Sequence, residues 1–116
     1  MIFWRKLSDV EFCRNQSFQS SAKILLKRYK SFKNDLLKFK TNYDSLPYAD
    51  LGGGFRKIRI SIESKGKGKS GGARIITYEV LSYKTERDVI LLYVYDKSDM
   101  EDISISFLKQ LVKDNL

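Results

Sequence analysis

Histidine is absent from this 116-residue chain, and cysteine occurs once, at Cys13. Without histidine the chain lacks the commonest general acid and base and the commonest zinc ligand, so any proton transfer must use lysine, arginine, tyrosine or carboxylate side chains. A single cysteine excludes an internal disulfide, and Cys13 is interpreted as a buried thiol. Neither an oxidising compartment nor a structural zinc site is indicated.

Proline also occurs once, and long hydrophobic runs are missing. The longest apolar run, residues 89–95, is far shorter than the roughly 20 residues that cross a bilayer, and residues 2–4 are too few for a signal peptide. These absences predict a cytoplasmic protein with no membrane partner. The chain is 42% apolar and 13% aromatic, which is enough to fill the core of one small domain, residues 1–116.

Positive charge is abundant but unevenly placed. The formal net charge is +8, and residues 54–74 contain seven basic side chains against one acidic side chain. The last third of the chain, by contrast, is mildly acidic. The excess charge is therefore expected on one surface of the folded domain, near residues 54–74.

Residues 17–43 carry apolar side chains at steps of three and four, the period of an amphipathic helix. The lysines between them are interpreted as a solvated outer face, with a nucleic-acid face as the alternative. One helix of this length would be unusually long, and Ser31 offers an N-cap within it, so two helices folded into a hairpin are equally consistent with the pattern. Residues 41–54, with Pro47 and three consecutive glycines, are predicted to form a loop.

After residue 54 the apolar period changes to two, which is typical of strands. In residues 55–62 three isoleucines share one face while Lys57 and Arg59 lie on the other, so this strand has a core side and a basic side. The sequence then predicts a mobile, turn-rich loop at residues 64–72. Two further strands are predicted, at residues 73–80 and 88–95. The last of these lacks alternation and is expected to be central, and the three strands together predict an antiparallel meander.

Near the C-terminal end, Ser98 and Glu101 have the spacing of a helix capping box. An amphipathic helix is predicted to follow, with an apolar stripe made of Ile103, Phe107, Leu108, Leu111 and Val112. This stripe is expected to pack on the core or to dock a partner. At the other end of the chain, residues 10–14 are a weaker strand candidate and residues 1–9 have no clear assignment.

The glycine-rich segment 65–72 contains Gly68-Lys69-Ser70, a triplet found in nucleotide-binding P-loops. That motif needs a glycine five positions before Gly68, but Glu63 stands there, and strand-like residues follow the segment, so a nucleoside-triphosphate site is not supported. What remains is a cluster of seven cations: Arg56, Lys57, Arg59, Lys65, Lys67, Lys69 and Arg74. Such a cluster favours a nucleic-acid backbone, because Coulomb attraction and counterion release both favour a polyanion there. The alternative is a solvated hairpin that keeps the domain soluble.

Three blocks of this sequence, in their order and spacing, resemble the RelE/HigB toxins of bacterial type II toxin–antitoxin systems. They are GGFRKIRI at 53–60, KGKSGGARIITY at 67–78 and LLYVYDKS at 91–98. The glycine- and lysine-rich loop is similar to the HigB-like branch in particular. The resemblance extends from residue 10 to the C-terminus and includes a helical hairpin at 23–37, whereas residues 1–9 are interpreted as an extension.

The resemblance implies an α+β fold in which an N-terminal strand and a helical hairpin pack on a small, curved, mainly antiparallel sheet, with a C-terminal helix. It also implies an endoribonuclease, an mRNA interferase that cuts messages in the ribosomal A site and is silenced by a cognate antitoxin. The family's catalytic positions correspond here to Lys57, Arg59, Arg74, Tyr95 and Lys97.

A mechanism that fits these residues is attack of a ribose 2′-OH on the adjacent phosphorus, which needs no metal or cofactor. Arg59 and Arg74 would stabilise the charge on the phosphorane, and Lys57, Lys97 and Tyr95 are the candidate proton carriers. The RNA backbone would be held by Arg56, Lys65, Lys67 and Lys69. The alternatives are a ParE-like toxin directed at gyrase, a nucleic-acid-binding module without catalysis, and a purely structural partner protein.

Overall fold

The computed structural model describes the backbone of residues 2–7, 10–14, 16–81 and 87–115, and the side chains of residues 16–80 and 88–114. Six strands form one sheet: β1 (Ile2–Leu7), β2 (Val10–Arg14), β3 (Ala49–Gly52), β4 (Phe55–Ile60), β5 (Ala73–Leu81) and β6 (Arg87–Asp96). Their order across the sheet is β1-β2-β6-β5-β4-β3, with β2 and β6 parallel and every other pair antiparallel. This α+β arrangement confirms the predicted meander and the central position of its last strand.

Three α-helices also lie within these described residues: α1 (Gln16–Arg28), α2 (Phe32–Thr41) and α3 (Ile105–Asn115). The first two form the predicted hairpin. Ser31 precedes α2, but the prediction that its side chain caps the helix is wrong, because its hydroxyl donates to Asp35 Oδ2 at 2.8 Å and no helix amide donates to it. The predicted solvated lysine face is confirmed for Lys23, Lys27, Lys30, Lys33 and Lys38, whereas Lys40 is only 2% exposed.

The helical hairpin covers the first face of the sheet. Apolar side chains spaced by three and four along the helices, among them Phe18, Leu25 and Phe32, pack with Ile58 and Ile60 of β4 in one buried cluster. Because side chains alternate along a strand, Lys57 and Arg59 must then point to the second face. The predicted core side and basic side of this strand are therefore confirmed.

The second face is partly covered by α3, whose Leu108 is fully buried against Ile76 and Leu92. The predicted capping box at Ser98 is wrong: the helix begins at Ile105, and Ser104 Oγ accepts a hydrogen bond from the Phe107 amide at 3.2 Å. The predicted apolar stripe is confirmed for Leu108, Leu111 and Val112, which pack on the second face, whereas Ile103 packs there from outside the helix and Phe107 is 41% exposed.

Two further elements differ from the sequence predictions. The predicted loop at 41–54 contains the short strand β3, which pairs with β4 through Ala49–Gly52. The unassigned N-terminal segment contains β1, which pairs with β2. The predicted burial of Cys13 lies outside the described side chains. That residues 1–116 form one domain, with residues 1–9 as an extension, stays a prediction.

An irregularity in β6 sets the direction of its side chains. Ile76 pairs with Tyr93 but the next residue, Thr77, pairs with Leu91, so Leu92 is the extra residue of a bulge. Leu92 and Tyr93 consequently both lie in the cluster beneath α3. Alternation resumes after the bulge, and Tyr95 returns to the second face.

At the end of β6 the fully buried carboxylate of Asp96 connects three parts of the fold. Lys65 Nζ lies 2.6 Å from Oδ1, Arg28 Nη1 lies 2.9 Å from Oδ2, and the hydroxyl groups of Tyr29 and Ser98 also donate to it. We call these five residues the Asp96 cluster. Burial raises the pKa of Asp96, but the hydrogen bonds from Lys65, Tyr29 and Ser98 outweigh it and hold the pKa well below its usual range. The cluster therefore ties α1 and the β4–β5 loop to the end of β6.

Replacing Asp96 by asparagine should lower the free energy of unfolding at pH 7 by about 3 kcal/mol, because it leaves the Lys65 ammonium largely buried without its counter-charge. A carboxylate with a depressed pKa stabilises the fold above its unfolded pKa of about 4, and this stabilisation is lost as the pH falls further. Urea denaturation at pH 7, 4.5 and 3 should therefore show a smaller acid-induced loss of stability for Asp96→Asn than for wild type.

Asp99→Asn is the matched control, because Asp99 also pairs with Arg28 but its side chain is 49% exposed. This substitution should lower the free energy of unfolding at pH 7 by less than about 1 kcal/mol. Equal effects of the two substitutions, or an unchanged pH dependence in Asp96→Asn, would contradict the stabilising role of the cluster.

Candidate functional site

Arg59, Arg74 and Tyr95 lie side by side on three neighbouring strands. In the sheet register Arg59 is opposite Arg74 across β4 and β5, and Arg74 is opposite Tyr95 across β5 and β6. Directly opposed residues in an antiparallel pair have Cβ atoms roughly 5 Å apart. We call these three residues the arginine–tyrosine row. The fold thus brings together side chains from positions 59, 74 and 95 of the sequence.

Arg74 is the buried arginine of the row: 4% of its surface is exposed, as is 4% of Tyr95, whereas Arg59 is exposed. Its guanidinium donates to the carbonyl oxygens of Lys69 at 3.0 Å and Ser70 at 3.2 Å, so it anchors the β4–β5 loop. Burial lowers the pKa of Arg74, and the charge of Arg59 lowers it further. Among the described side chains no carboxylate forms an ion pair with either arginine. The pair of guanidinium groups therefore favours an anion.

Tyr95 ends the row with a hydroxyl group that is buried and has no hydrogen-bond partner within the described part of the chain. Burial raises the pKa of Tyr95, Asp102 raises it further, and the charge of Arg74 opposes both. The phenol is therefore neutral at pH 7 and able to donate a proton. Leaving such a group unpaired costs about 1–3 kcal/mol, so a hydrogen-bonding partner for this hydroxyl would be stabilising. A ligand that reaches this hydroxyl must displace the side chains covering it.

The connection between β6 and α3 adds two charged residues, Lys97 and Asp102, to the second face. Asp102 Oδ1 lies 3.2 Å from Lys57 Nζ of β4, and Lys97 Nζ donates to the Glu101 carbonyl at 3.1 Å. The pKa of Asp102 is lowered first by the Ile103 amide, which donates to it, and then by Lys57, with a smaller effect of Lys97. Asp102 is therefore an ionised carboxylate at the edge of the row.

Sequence reasoning missed Asp102. The capping-box interpretation placed the start of the helix at residue 99, which put residue 102 inside the first helical turn. The available signal was a serine at position 104 that could cap a helix beginning at Ile105 and so leave Asp102 in the preceding connection.

The β4–β5 loop holds its three predicted RNA-binding lysines in different ways. Lys65 belongs to the Asp96 cluster and its side chain is 12% exposed, whereas Lys67 and Lys69 are exposed to solvent. The loop closes against the sheet at Gly72, where an added Cβ would come within 2.0 Å of the Ile60 carbonyl oxygen. Only glycine fits there, so the loop returns to β5 close against β4 and presents Lys67 and Lys69 outward.

Arg56 is not brought to the row. It precedes Lys57 on β4 and so points to the opposite face. Its guanidinium lies 2.8 Å from Glu79 Oε2 and stacks on the Tyr48 ring at 3.9 Å from the centroid. Five of the nine predicted site residues are thus grouped on the second face: Lys57, Arg59, Arg74, Tyr95 and Lys97. Arg56 and Lys65 are instead engaged in ion pairs, and the functions predicted for all nine residues stay predictions.

The described residues contain no group of three or more cysteine, aspartate or glutamate side chains placed to hold a metal ion. None of the helices in the same part of the chain is both long enough and apolar enough to cross a membrane.

Comparison with known protein families gives a match over residues 40–113, to the family described as the RelE toxin of the RelE/RelB toxin–antitoxin system. The matched segment extends from the end of α2 into the last turn of α3 and contains all nine predicted site residues as well as Asp102. It includes more than half of the chain, and the α+β fold with its C-terminal helix agrees with the resemblance in the sequence. The chain therefore belongs to the RelE toxin family.

Proposed function

We propose that this toxin is an endoribonuclease that cleaves mRNA on the second face of the sheet, with the scissile phosphate at the arginine–tyrosine row. The observation that carries the proposal is the pair of adjacent guanidinium groups, which lack a carboxylate partner among the described residues and lie beside the unpaired Tyr95 hydroxyl. Membership of a toxin–antitoxin family implies an antitoxin partner. Cleavage of RNA, and the ribosome as its setting in the cytoplasm, are what the sequence resemblance implies.

The arginines supply the electrostatic part of catalysis. A guanidinium matches two phosphate oxygens with parallel hydrogen bonds, and Arg59, which is exposed, can approach a phosphate directly. Arg74 is held in place by the loop carbonyls, so its charge is positioned before the substrate arrives. Preorganised donors of this kind stabilise the negative charge that develops as the phosphorus becomes five-coordinate.

Tyr95 and Asp102 are positioned to transfer the protons of the reaction. The 2′-OH loses its proton as its oxygen forms a bond to phosphorus, and the bond from phosphorus to the 5′ oxygen breaks as that oxygen gains a proton. Tyr95, whose neutral phenol carries a proton at pH 7, is the proposed acid, and Asp102, ionised and hydrogen-bonded to Lys57, is the proposed base. Lys57 and Lys97 add positive charge beside the reacting groups. The products carry a 2′,3′-cyclic phosphate and a 5′-hydroxyl.

Tyr95→Phe tests this assignment because it removes only an unpaired hydroxyl. It should leave the free energy of unfolding unchanged or slightly raised, and it should lower the cleavage rate by at least about a hundredfold, the range for losing a general acid. Tyr93→Phe is the matched control, since Tyr93 is two residues away on the same face. The measurements are growth arrest on induced expression and primer extension on cellular messages.

Wild type and Tyr93→Phe should arrest growth and produce cuts in phase with codons, whereas Tyr95→Phe should do neither. Full toxicity of Tyr95→Phe would contradict the role of the hydroxyl. Growth arrest by wild type without message cleavage would contradict the nuclease altogether, and accompanying DNA breaks would then favour a toxin directed at gyrase.

The exposed loop lysines give a second test. If Lys67 and Lys69 each contact one phosphate of a single strand, replacing both by alanine should reduce the slope of log Kd against log salt by about 1.4. The substrate is a 2′-O-methyl oligonucleotide, which cannot be cleaved by 2′-OH attack. Lys27→Ala with Lys30→Ala, on the exposed face of the hairpin, should leave the slope unchanged. Equal slopes for all three proteins would mean that the loop is a solvated hairpin.

A further inference from the structure

A cleft of about 710 Å³ opens at the outer edge of β4. The short strand β3 pairs only as far as Lys57, so the remainder of β4 has no neighbouring strand on that side within the described part of the chain. One wall of the cleft comes from α2 and the residues that follow it, and the other comes from residues 59–69. Its volume is within the usual range of small-ligand sites, about 300–1,000 Å³.

The lining of this cleft combines an apolar interior with charged and polar groups. Phe39, Leu46 and Ile62 contribute apolar surface. Arg59 and Lys69 line it on the β4 side, so Arg59 belongs both to the cleft and to the arginine–tyrosine row. The cleft is therefore continuous with the proposed catalytic surface.

The opposite wall carries a buried carboxylate. Asp35 is 5% exposed and accepts hydrogen bonds from Ser31 Oγ at 2.8 Å and from the Glu63 amide at 3.3 Å. A fixed carboxylate on this wall favours hydrogen-bond donors, whereas Arg59 and Lys69 favour an anion on the other wall. Lys38 and Glu63 form an ion pair at the rim of the cleft. Both side chains are mostly exposed, so this pair contributes little to the stability of the fold.

We propose that this cleft binds one nucleotide of a single RNA strand, next to the nucleotide whose phosphate contacts Arg59. This inference rests on the proposed function and adds a subsite to it. The base enters the apolar interior with its hydrogen-bond donors, an amino group or the ring N–H of a uracil, toward the α2 wall, and the phosphate stays at Arg59 and Lys69. Single-stranded nucleic acids are typically held in this way, by a cationic path for the backbone and apolar surfaces for the bases. The subsite contributes affinity and base preference outside the scissile phosphate.

Ser61→Trp tests the proposal, because Ser61 is an exposed residue that lines the cleft and a tryptophan there occupies its volume. Asn34→Trp is the control: Asn34 is exposed on α2 and does not line the cleft. Binding of 2′-O-methyl trinucleotides of A, C, G and U to the purified full chain is followed by fluorescence anisotropy. Ser61→Trp should weaken binding of the preferred trinucleotide about tenfold, as expected for losing one bound base, and should reduce the preference among the four. Asn34→Trp should bind as wild type.

A second measurement uses wild-type protein and does not depend on folding of a variant. A trinucleotide containing 4-thiouridine is cross-linked by light, and the modified peptide is identified by mass spectrometry. Cross-links should fall on the two walls of the cleft, within residues 35–47 or 59–69.

Several outcomes would overturn the subsite: no binding of any trinucleotide to wild type, unchanged binding by Ser61→Trp, equal losses in both tryptophan variants, or cross-links elsewhere. Loss of antitoxin binding in Ser61→Trp with normal RNA binding would also overturn it, because the open edge of β4 would then be the site of an extended antitoxin segment. The uncleavable probes separate this proposal from the nuclease. If trinucleotides bind in the cleft but the protein does not cleave RNA, the subsite is supported and the nuclease is not. If the protein cleaves RNA but no trinucleotide binds in the cleft, the nuclease is supported and the subsite is not.

Discussion

Arg59 and Arg74 face each other on neighbouring strands, so the Cβ atoms of two like-charged residues lie roughly 5 Å apart on one surface of the sheet. In a small domain this arrangement is destabilising unless something offsets the repulsion. The structure offsets it in part by burying Arg74 and giving its guanidinium three carbonyl acceptors, at Lys69, Ser70 and Ala73. The remaining positive potential attracts an anion, and the rest of the site is arranged around this pair.

The first face of the sheet holds that arrangement in place. The Asp96 cluster joins the end of α1 to the last residue of β6 and to Lys65 in the β4–β5 loop. The same loop is fixed from the other side by Arg74, so both of its ends are attached to the sheet. Lys65 therefore has a structural role in this network, and Lys67 and Lys69 are left to face solvent. A buried carboxylate on one face thus positions the cations on the other.

Alternation in the sequence was enough to predict which residues of β4 face the core and which form the basic side. The same alternation also places Arg56 with the isoleucines, away from Lys57 and Arg59, but grouping the seven cations by closeness in sequence obscured this. The pairing of Lys65 with Asp96 spans 31 positions and has no local signal. The unpaired hydroxyl of Tyr95 likewise depends on packing around it, which a single sequence does not reveal.

Whether Asp102 could be predicted as a site residue depended on where α3 begins. Ser98 has the right spacing for a cap, but its hydroxyl donates to Asp96 instead, and Ser104 caps the helix. This shift leaves Asp102 in the connection between β6 and α3, beside Lys57. Competition between a local cap and a distant buried carboxylate is a tertiary effect, which explains why the strands were easier to predict than this segment.

We propose above all that the arginine–tyrosine row cleaves RNA through the ribose 2′-OH. The most direct measurement is mass spectrometry of the ends produced when the protein acts on ribosomes programmed with a short mRNA, in parallel with the same message carrying 2′-deoxyribose at the cut nucleotide. We predict 2′,3′-cyclic phosphate and 5′-hydroxyl ends from the ribose message and no cleavage of the deoxyribose message. Cleavage of both messages, or products with 5′-phosphate ends, would contradict it.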